Sequence, residues 1–248
     1  MPVEEWRAQL RGAVYRGDGR AVVALARTGL RPDDRGGAAA LQLIGDGLIS
    51  ALAGQVDGAP ELAADCVSAL SERGWYGDTE LVEHLQALLG TGPTPMLRSL
   101  PIDLEELAGI LEGDPIHGGG RVDVRTGEVW PRAAIDYAQE IGKETEEDED
   151  EERWLWVVCE GSREGYRDME AFIESLADPD RADRLWIAIQ GRGAFRRFKD
   201  VLGRTPDELD RWFAFSEERQ RGRARAWLAD AGYRPSPRPP CSPAAQPI

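Results

Sequence analysis

Short apolar stripes with a helical period, separated by glycine-containing turns, fill the first hundred residues of the chain. Trp6, Leu10 and Val14 recur every four residues, which places their side chains on one face of a helix. Turns such as Gly17-Asp18 interrupt the pattern at short intervals. Short amphipathic helices bury their apolar faces by packing on one another. The sequence therefore predicts an all-α domain over residues 1–95.

Two segments of this helical region resemble each other. Residues 17–25 and 77–85 both begin with a Gly-Asp pair and continue as an apolar helix, and each is similar to the second helix of an ankyrin repeat. Their separation of 60 residues differs from the roughly 33-residue period of that repeat, and its Thr-Pro-Leu-His turn is missing. A plain helical bundle is the simpler prediction, and a degenerate helical repeat stays open as the alternative.

The second half of the chain predicts a different architecture. The segment Gly90–Pro95 is typical of a linker and marks a domain boundary near residue 95. Beyond it, Arg121–Trp130 alternates apolar and polar residues around a Thr-Gly turn, as a β-hairpin does. Residues 154–159 are apolar on both faces, so we expect this strand in the middle of a small sheet covered by helices. We predict a mostly helical α+β fold, in which residues 101–234 combine a small antiparallel sheet with several C-terminal helices.

Charge is unevenly distributed along the chain. The net charge is −15, and residues 103–180 hold 24 acids against 7 bases. Eight of the nine residues in 144–152 are acidic, and repulsion among them predicts a solvated, mobile segment. The proline-rich residues 235–248 predict a disordered tail. Because a net charge of this size repels nucleic acid and anionic lipid at long range, any polyanion site has to be local.

A basic string begins at Arg192 and continues on a predicted helix over residues 193–202, and Arg219, Arg221, Arg223 and Arg225 on the last helix extend the positive surface. Arg192, Arg196 and Lys199 share one face of the 193–202 helix, and we expect the other face, with Phe195 and Phe198, to point inward. One interpretation is that the bases pair with acids of the same domain. The other is an anion site, because guanidinium groups bind phosphate and carboxylate in a bidentate manner. The candidate anion-binding residues are Arg192, Arg196, Arg197 and Lys199, and the candidate ion-pair or partner-contacting residues are Arg163, Glu164, Tyr166 and Asp168.

Sequence patterns that support catalysis are sparse. The chain has two histidines, His84 and His117, and three widely spaced cysteines, so neither a zinc site nor a disulfide framework is predicted. Residues 117–120 resemble the oxyanion loop of some lipases, but the Gly-x-Ser-x-Gly elbow is missing, as is a Walker-type phosphate loop. We therefore predict no metal, no cofactor and no catalytic activity. An enzyme with a carboxylate-based site around Glu164 and Asp168 is the alternative.

The order of motifs in the C-terminal half is similar to that of a bacterial family. A hairpin, an acidic run and a strand are followed by Arg163–Met169 and then by Gly191–Asp200, whose string Gly-Arg-Gly-Ala-Phe-Arg-Arg-Phe is the most specific part. A helix with Arg211-Trp212-Phe213 closes the pattern. Over about residues 101–234 the chain resembles Uncharacterised Protein Family 0158. The resemblance implies a cytosolic bacterial protein and supplies no catalytic residues.

Location and function are predicted by elimination. No apolar run reaches the roughly 18 residues of a membrane span, and Met1–Arg11 does not resemble a signal peptide. We predict a cytoplasmic protein that does not contact the membrane. Its predicted function is that of a non-catalytic protein-binding or regulatory module. Nucleic-acid or anion binding through the basic C-terminal helices is the less favoured alternative.

Overall fold

The computed structural model describes residues 3–30, 40–112, 118–142 and 150–237. These residues form eleven α-helices and five short strands, which confirms a mostly helical α+β fold. The helices are α1 Val3–Tyr15, α2 Gly19–Gly29, α3 Leu41–Ala53, α4 Ala59–Arg73, α5 Asp78–Leu89, α6 Leu104–Leu111, α7 Arg132–Glu140, α8 Arg163–Glu174, α9 Pro179–Ile189, α10 Ala194–Leu202 and α11 Pro206–Asp230. The strands are β1 Arg98–Leu100, β2 Gly120–Asp123, β3 Val129–Pro131, β4 Trp154–Val157 and β5 Tyr233–Pro235.

Helices α1 to α5 surround one apolar core, in which α3 is the central element. The side chains of Leu10, Ile44 and Leu81 are fully buried there. Two glycines of α3 allow the neighbouring helices to approach closely. A Cβ atom on Gly45 would lie 2.6 Å from a methyl group of Leu81, and one on Gly47 equally close to a methyl group of α2. The all-helical N-terminal part agrees with the periodicity of its sequence.

Strands β2, β3 and β4 form an antiparallel sheet in the order β3-β2-β4. The predicted hairpin is present, with Arg121 opposite Trp130 and Gly127 in the turn at φ +75°. The prediction that 154–159 forms the central strand is wrong, because β4 lies at the edge of this sheet. Its apolar outer residues are not covered by helices: Trp156 is 58% exposed and Val158 is 78% exposed.

The chain after α11 returns to the start of the second half. Strand β5 pairs in parallel with β1, and the Ser236 N–H donates to the Leu100 carbonyl at 2.9 Å. Pro235, the first residue of the predicted disordered tail, is therefore part of a strand. Residues 238–248 of that tail lie outside the described residues, as do residues 143–149 of the predicted mobile acidic segment.

A second apolar core joins α6 and α11 with strands of both sheets and includes Leu107 and Leu228. A third core joins α8, α9, α10 and α11. Its centre is aromatic: the ring centroids of Phe198 and Trp212 lie 4.8 Å apart and those of Phe172 and Trp212 lie 5.4 Å apart. Phe198 is buried as predicted, but Phe195 is 38% exposed and does not point fully inward. Helix α11, with 25 residues, is about 37 Å long and contacts elements of both halves of the chain.

Candidate functional site

Arg197 of the predicted anion site is bound to backbone carbonyl groups. Its Nε donates to the Ala188 carbonyl at 2.9 Å, and its Nη2 donates to the Gln190 carbonyl at 2.6 Å. The Arg192 carbonyl accepts a further bond from the same guanidinium group. These carbonyls belong to the C-terminal turn of α9 and the residues after it, where unsatisfied carbonyl oxygens collect. Arg197 therefore closes the end of a helix.

The other bases of this cluster are exposed and do not converge. Arg192 and Lys199 lie at the surface, and the Lys199 ammonium group is 5.9 Å from the ring centroid of Phe213. The side chain of Arg196 is 90% exposed, and its nearest acid is Asp200 at 3.9 Å, one helical turn away. Exposed pairs of this kind contribute little to stability. The structure thus places three separate side chains on one helical surface rather than a shared pocket.

The four predicted ion-pair residues also have different roles. Glu164 pairs with Arg167 at 2.5 Å on the surface of α8, while Tyr166 packs beside the third core and Arg163 is exposed. Asp168 is fully buried, and its partners are arginines of α11. Asp168 is therefore a buried residue that pairs with α11, whereas the exposed residues of its own helix lie at the surface.

Helix α11 carries two arginine pairs that face in opposite directions. Arg219 and Arg223 are four residues apart and both bind the carboxylate of Asp168, with a distance of 2.7 Å from Arg223 Nη2 to Oδ2. On the other side of the helix, Arg221 and Arg225 bind Asp46 of α3. The i,i+4 spacing was visible in the sequence, but nothing in the sequence indicated the acids, which lie far away along the chain.

Asp46 stays ionised in this buried setting. Burial alone would raise the pKa of its carboxyl group, but Arg225 and Arg221 hold the pKa below the usual value. On the opposite side, burial raises the pKa of Glu112, which accepts a hydrogen bond from Arg223. The charges of Arg219, Arg221, Arg223 and Arg225 are thus neutralised within the protein.

An acid of α11 also connects this helix to the N-terminal helices. Glu218 of α11 accepts hydrogen bonds from the backbone N–H groups of Gln42 at 2.8 Å and Leu43 at 3.3 Å. These groups belong to the first turn of α3, where free N–H groups and the helix dipole favour a negative charge. Arg73 lies 3.0 Å from the same carboxylate and also pairs with Asp78. Glu218 therefore caps a helix that has no side-chain cap of its own.

Two clefts open beside this network. A cleft of about 800 Å³ lies between α1, α3, α6 and the end of β5, and its charged residues include Asp46 and Arg221, which pair with each other. A second cleft, of about 370 Å³, is lined by Trp75, Trp227 and the paired Arg223. The charged groups named here, Asp46, Arg221 and Arg223, already have partners inside the protein.

The side chains that bind metals or transfer protons are dispersed. Within the ranges the structure describes, no three His, Cys, Asp or Glu residues are grouped so that they could hold a metal ion. His117 lies outside these ranges. His84 is buried, and burial lowers its pKa to about 4, with Arg225 and Arg234 acting in the same direction. Its imidazole is therefore neutral at pH 7.

We expect His84 to make the fold sensitive to mild acid. Its folded pKa of about 4 lies below the value of about 6.5 in an unfolded chain, so the unfolded state binds a proton first as the pH falls. The contribution of His84 to the free energy of unfolding has its full value above pH 6.5. It decreases toward pH 4, by roughly 3 kcal/mol in total. Urea unfolding at pH 7.5 and pH 5.0 should show a smaller loss for His84→Gln than for the wild type. Equal losses in the two proteins would contradict this expectation.

The outer side of residues 154–158, which we call the β4 edge, is the exposed part of the small sheet. The Val124 N–H donates to the Arg153 carbonyl at 2.9 Å, where β2 and β4 meet. Because hydrogen-bonded positions alternate in an antiparallel pair, Leu155 bonds to β2, while the backbone groups of Trp154 and Trp156 point away from it. No other strand in the described part of the chain pairs with this edge. Sequence reasoning missed it because apolar residues on both faces indicate a covered strand.

The sheet behind the β4 edge is held by stacked side chains. The guanidinium group of Arg121 lies 3.8 Å from the ring centroid of Trp154 and 5.5 Å from that of Trp130. Arg153 pairs with the buried Asp123 at 2.7 Å, and although burial would raise the pKa of Asp123, Arg153 lowers it. These contacts fix Trp154 and leave Trp156 as the exposed ring of the strand.

Sequence comparison finds similarity to known proteins in the C-terminal part of the chain. Within the described ranges, no helix has both the length and the apolar character that crossing a membrane requires. A UPF0158 protein of Pseudomonas aeruginosa is 28% identical over 142 residues, which are 57% of this chain and 90% of the relative. No solved structure matches the chain. Residues 133–247 match the sequence model of the Uncharacterised protein family UPF0158, so the predicted resemblance to that family is confirmed over this part of the chain.

Proposed function

We propose that this chain is a non-catalytic protein-binding module of the bacterial cytosol, and that the β4 edge is the surface its partner contacts. The observation that carries the proposal is the edge itself. It combines outward-facing backbone groups with two exposed apolar side chains, Trp156 and Val158. An exposed apolar strand edge is a ready template for pairing with another chain.

The state of the arginines supports protein binding over nucleic-acid binding. Four of the five arginines of α11, namely Arg219, Arg221, Arg223 and Arg225, are paired with buried or half-buried acids, and Arg197 is bound to carbonyl groups. A phosphate group would have to displace those acids, which would leave buried carboxylates without partners. Arg192, Arg196 and Lys199 remain accessible, but they are dispersed over one surface. We therefore keep anion binding as the weaker alternative.

The state of the carboxylates argues against a carboxylate-based enzyme. Asp168 is clamped between two guanidinium groups, and Glu164 is paired with Arg167. A general base needs an accessible oxygen within hydrogen-bond reach of its substrate. Asp168 is fully buried and has no such oxygen.

Site-specific photo-cross-linking tests the proposed function. A benzophenone amino acid would replace Val158 in the full chain, expressed in the cells that make it. Ile187 of α9, which is 69% exposed on another element, gives a matched control position. We expect discrete protein adducts from position 158, weakened several-fold by Trp156→Ala, and none of these adducts from position 187. No adduct from position 158, or the same adducts from both positions, would refute the proposal.

A further inference from the structure

We infer that the β4 edge is completed by an extended segment of a partner protein that is rich in lysine or arginine and adds to the sheet as a fourth strand. This inference rests on the proposed function and specifies the chemistry of the partner. Residues 154–158 span about 17 Å, so the added strand has about five residues. It would bond to the outward backbone groups of Trp154 and Trp156 and pack an apolar side chain against the Trp156 ring.

The composition of the edge supports a paired rather than a solvent-exposed strand. Free strand edges in natural proteins are usually blunted by short length, lysine, proline, inward charges or bulges, and of these devices β4 has only its short length of four residues. Residues 154–158 read Trp-Leu-Trp-Val-Val and contain none of these residues. The regular register with β2, from Asp123 opposite Trp154 to Gly120 opposite Val157, contains no bulge. The edge is thus built to accept main-chain hydrogen bonds along its whole length.

The charges around the edge favour a partner segment with a positive net charge. Glu152 precedes Trp154 by two residues, with the Asp123-paired Arg153 between them, and Glu160 follows Val158 by two residues. Glu152 and Glu160 are both exposed. Complementary charge steers partners and excludes those of the same sign. The exposed ring of Trp156 adds a face that attracts ammonium and guanidinium groups.

The same charges disfavour a second copy of this chain as the occupant. Two β4 edges that paired with each other would bring two acidic flanks together, and like charges across an interface are costly. An acidic or neutral segment would lack the electrostatic attraction that the flanks provide. Of the three kinds of occupant, the basic segment is the one that satisfies both the backbone groups and the charges.

Peptide selection tests the inference with a defined probe. A phage-displayed library of random eight-residue peptides would be selected on the full chain. We expect enrichment of lysine and arginine together with β-branched or aromatic residues, and depletion of proline and acids. A pool without basic enrichment, or no enriched pool, would overturn the inference.

One enriched peptide, labelled with a fluorophore, would then be titrated by anisotropy. We expect at least ten-fold weaker binding with Trp156→Ala and with a peptide that is N-methylated at one backbone amide. The double variant Glu152→Gln/Glu160→Gln should bind several-fold more weakly at low salt, with the difference lost at high salt because charges are screened. Ile187→Ala is the matched control and should bind as the wild type does. Unchanged affinity after N-methylation would overturn strand addition.

Two further outcomes separate this inference from the proposed function. A concentration-dependent dimer in sedimentation experiments that disappears with Trp156→Ala would overturn the basic partner in favour of a second copy. Protein adducts from position 158 together with a non-basic peptide pool would refute the inference and leave the proposed function intact. No adducts and no peptides would refute both.

Discussion

Replacing Gly77 by alanine is expected to cause one of the largest losses of stability available to a single substitution in this chain. A Cβ atom at Gly77 would lie 2.1 Å from the carbonyl oxygen of Gly222, in the middle of α11. Gly77 also has a φ of +86°, a conformation that disfavours side chains. The clash is with backbone, which cannot rotate away. We expect a loss of about 2–5 kcal/mol, the sum of a left-handed backbone cost and an overpacking cost.

Gly74 provides the matched control for this substitution. It has a φ of +62°, but a Cβ atom there would have no neighbour within 4 Å. Gly74→Ala should therefore lose only the conformational part, about 1–2 kcal/mol. Urea unfolding of the two variants would compare them directly. Equal losses would mean that the loop before α5 does not press against α11.

Asp168→Ala is expected to destabilise the protein to a similar degree for an electrostatic reason. Removal of this carboxylate leaves Arg219 without its acid and Arg223 with only Glu112. Breaking a buried pair by deleting one partner costs about 3–5 kcal/mol, because a charge remains buried without compensation. The change in the free energy of unfolding, measured by urea titration at pH 7, checks this value.

Glu164→Ala on the same helix is the control for Asp168→Ala. Glu164 pairs with Arg167, which is largely exposed, so its loss should cost about 0.2–0.5 kcal/mol. A similar small effect of Asp168→Ala would show that the arginines of α11 do not depend on this acid. A phosphate group could then bind α11 without breaking a costly buried pair.

Local patterns in the sequence predicted most of the secondary structure. Trp6 and Leu10 marked the buried face of α1, and the Thr-Gly turn marked the hairpin of β2 and β3. These signals work because helix faces, caps and tight turns depend on residues a few positions apart. Asp178, for example, caps α9 by accepting hydrogen bonds from the backbone N–H groups of Asp180 and Arg181.

The arrangement of α11 could not be predicted in the same way. Its arginines find Asp46 and Asp168 in elements that are distant in the sequence, and Glu218 caps a helix that begins 177 residues earlier. A single sequence contains no signal for such pairs. The basic character of α11 therefore suggested a surface for polyanions, whereas the structure shows that these charges are paired inside the fold.

The position of β4 illustrates a limit of the hydrophobic pattern. A strand that is apolar on both faces is usually covered by helices. Here the Trp154 ring is covered by Arg121 and Trp130 of β2 and β3 rather than by a helix, and the Trp156 ring is exposed. The pattern records only that both faces are apolar and leaves open what covers them. In our proposal, a partner protein supplies the missing cover.

The central claim is that partners bind at the β4 edge and that the accessible bases of α10 are not a nucleic-acid site. Photo-cross-linking from Val158 and, in a second variant, from Arg196 tests it in one experiment. We predict protein adducts from position 158 and no nucleic-acid adducts from position 196. Nucleic-acid adducts from position 196, with none of any kind from position 158, would contradict this claim.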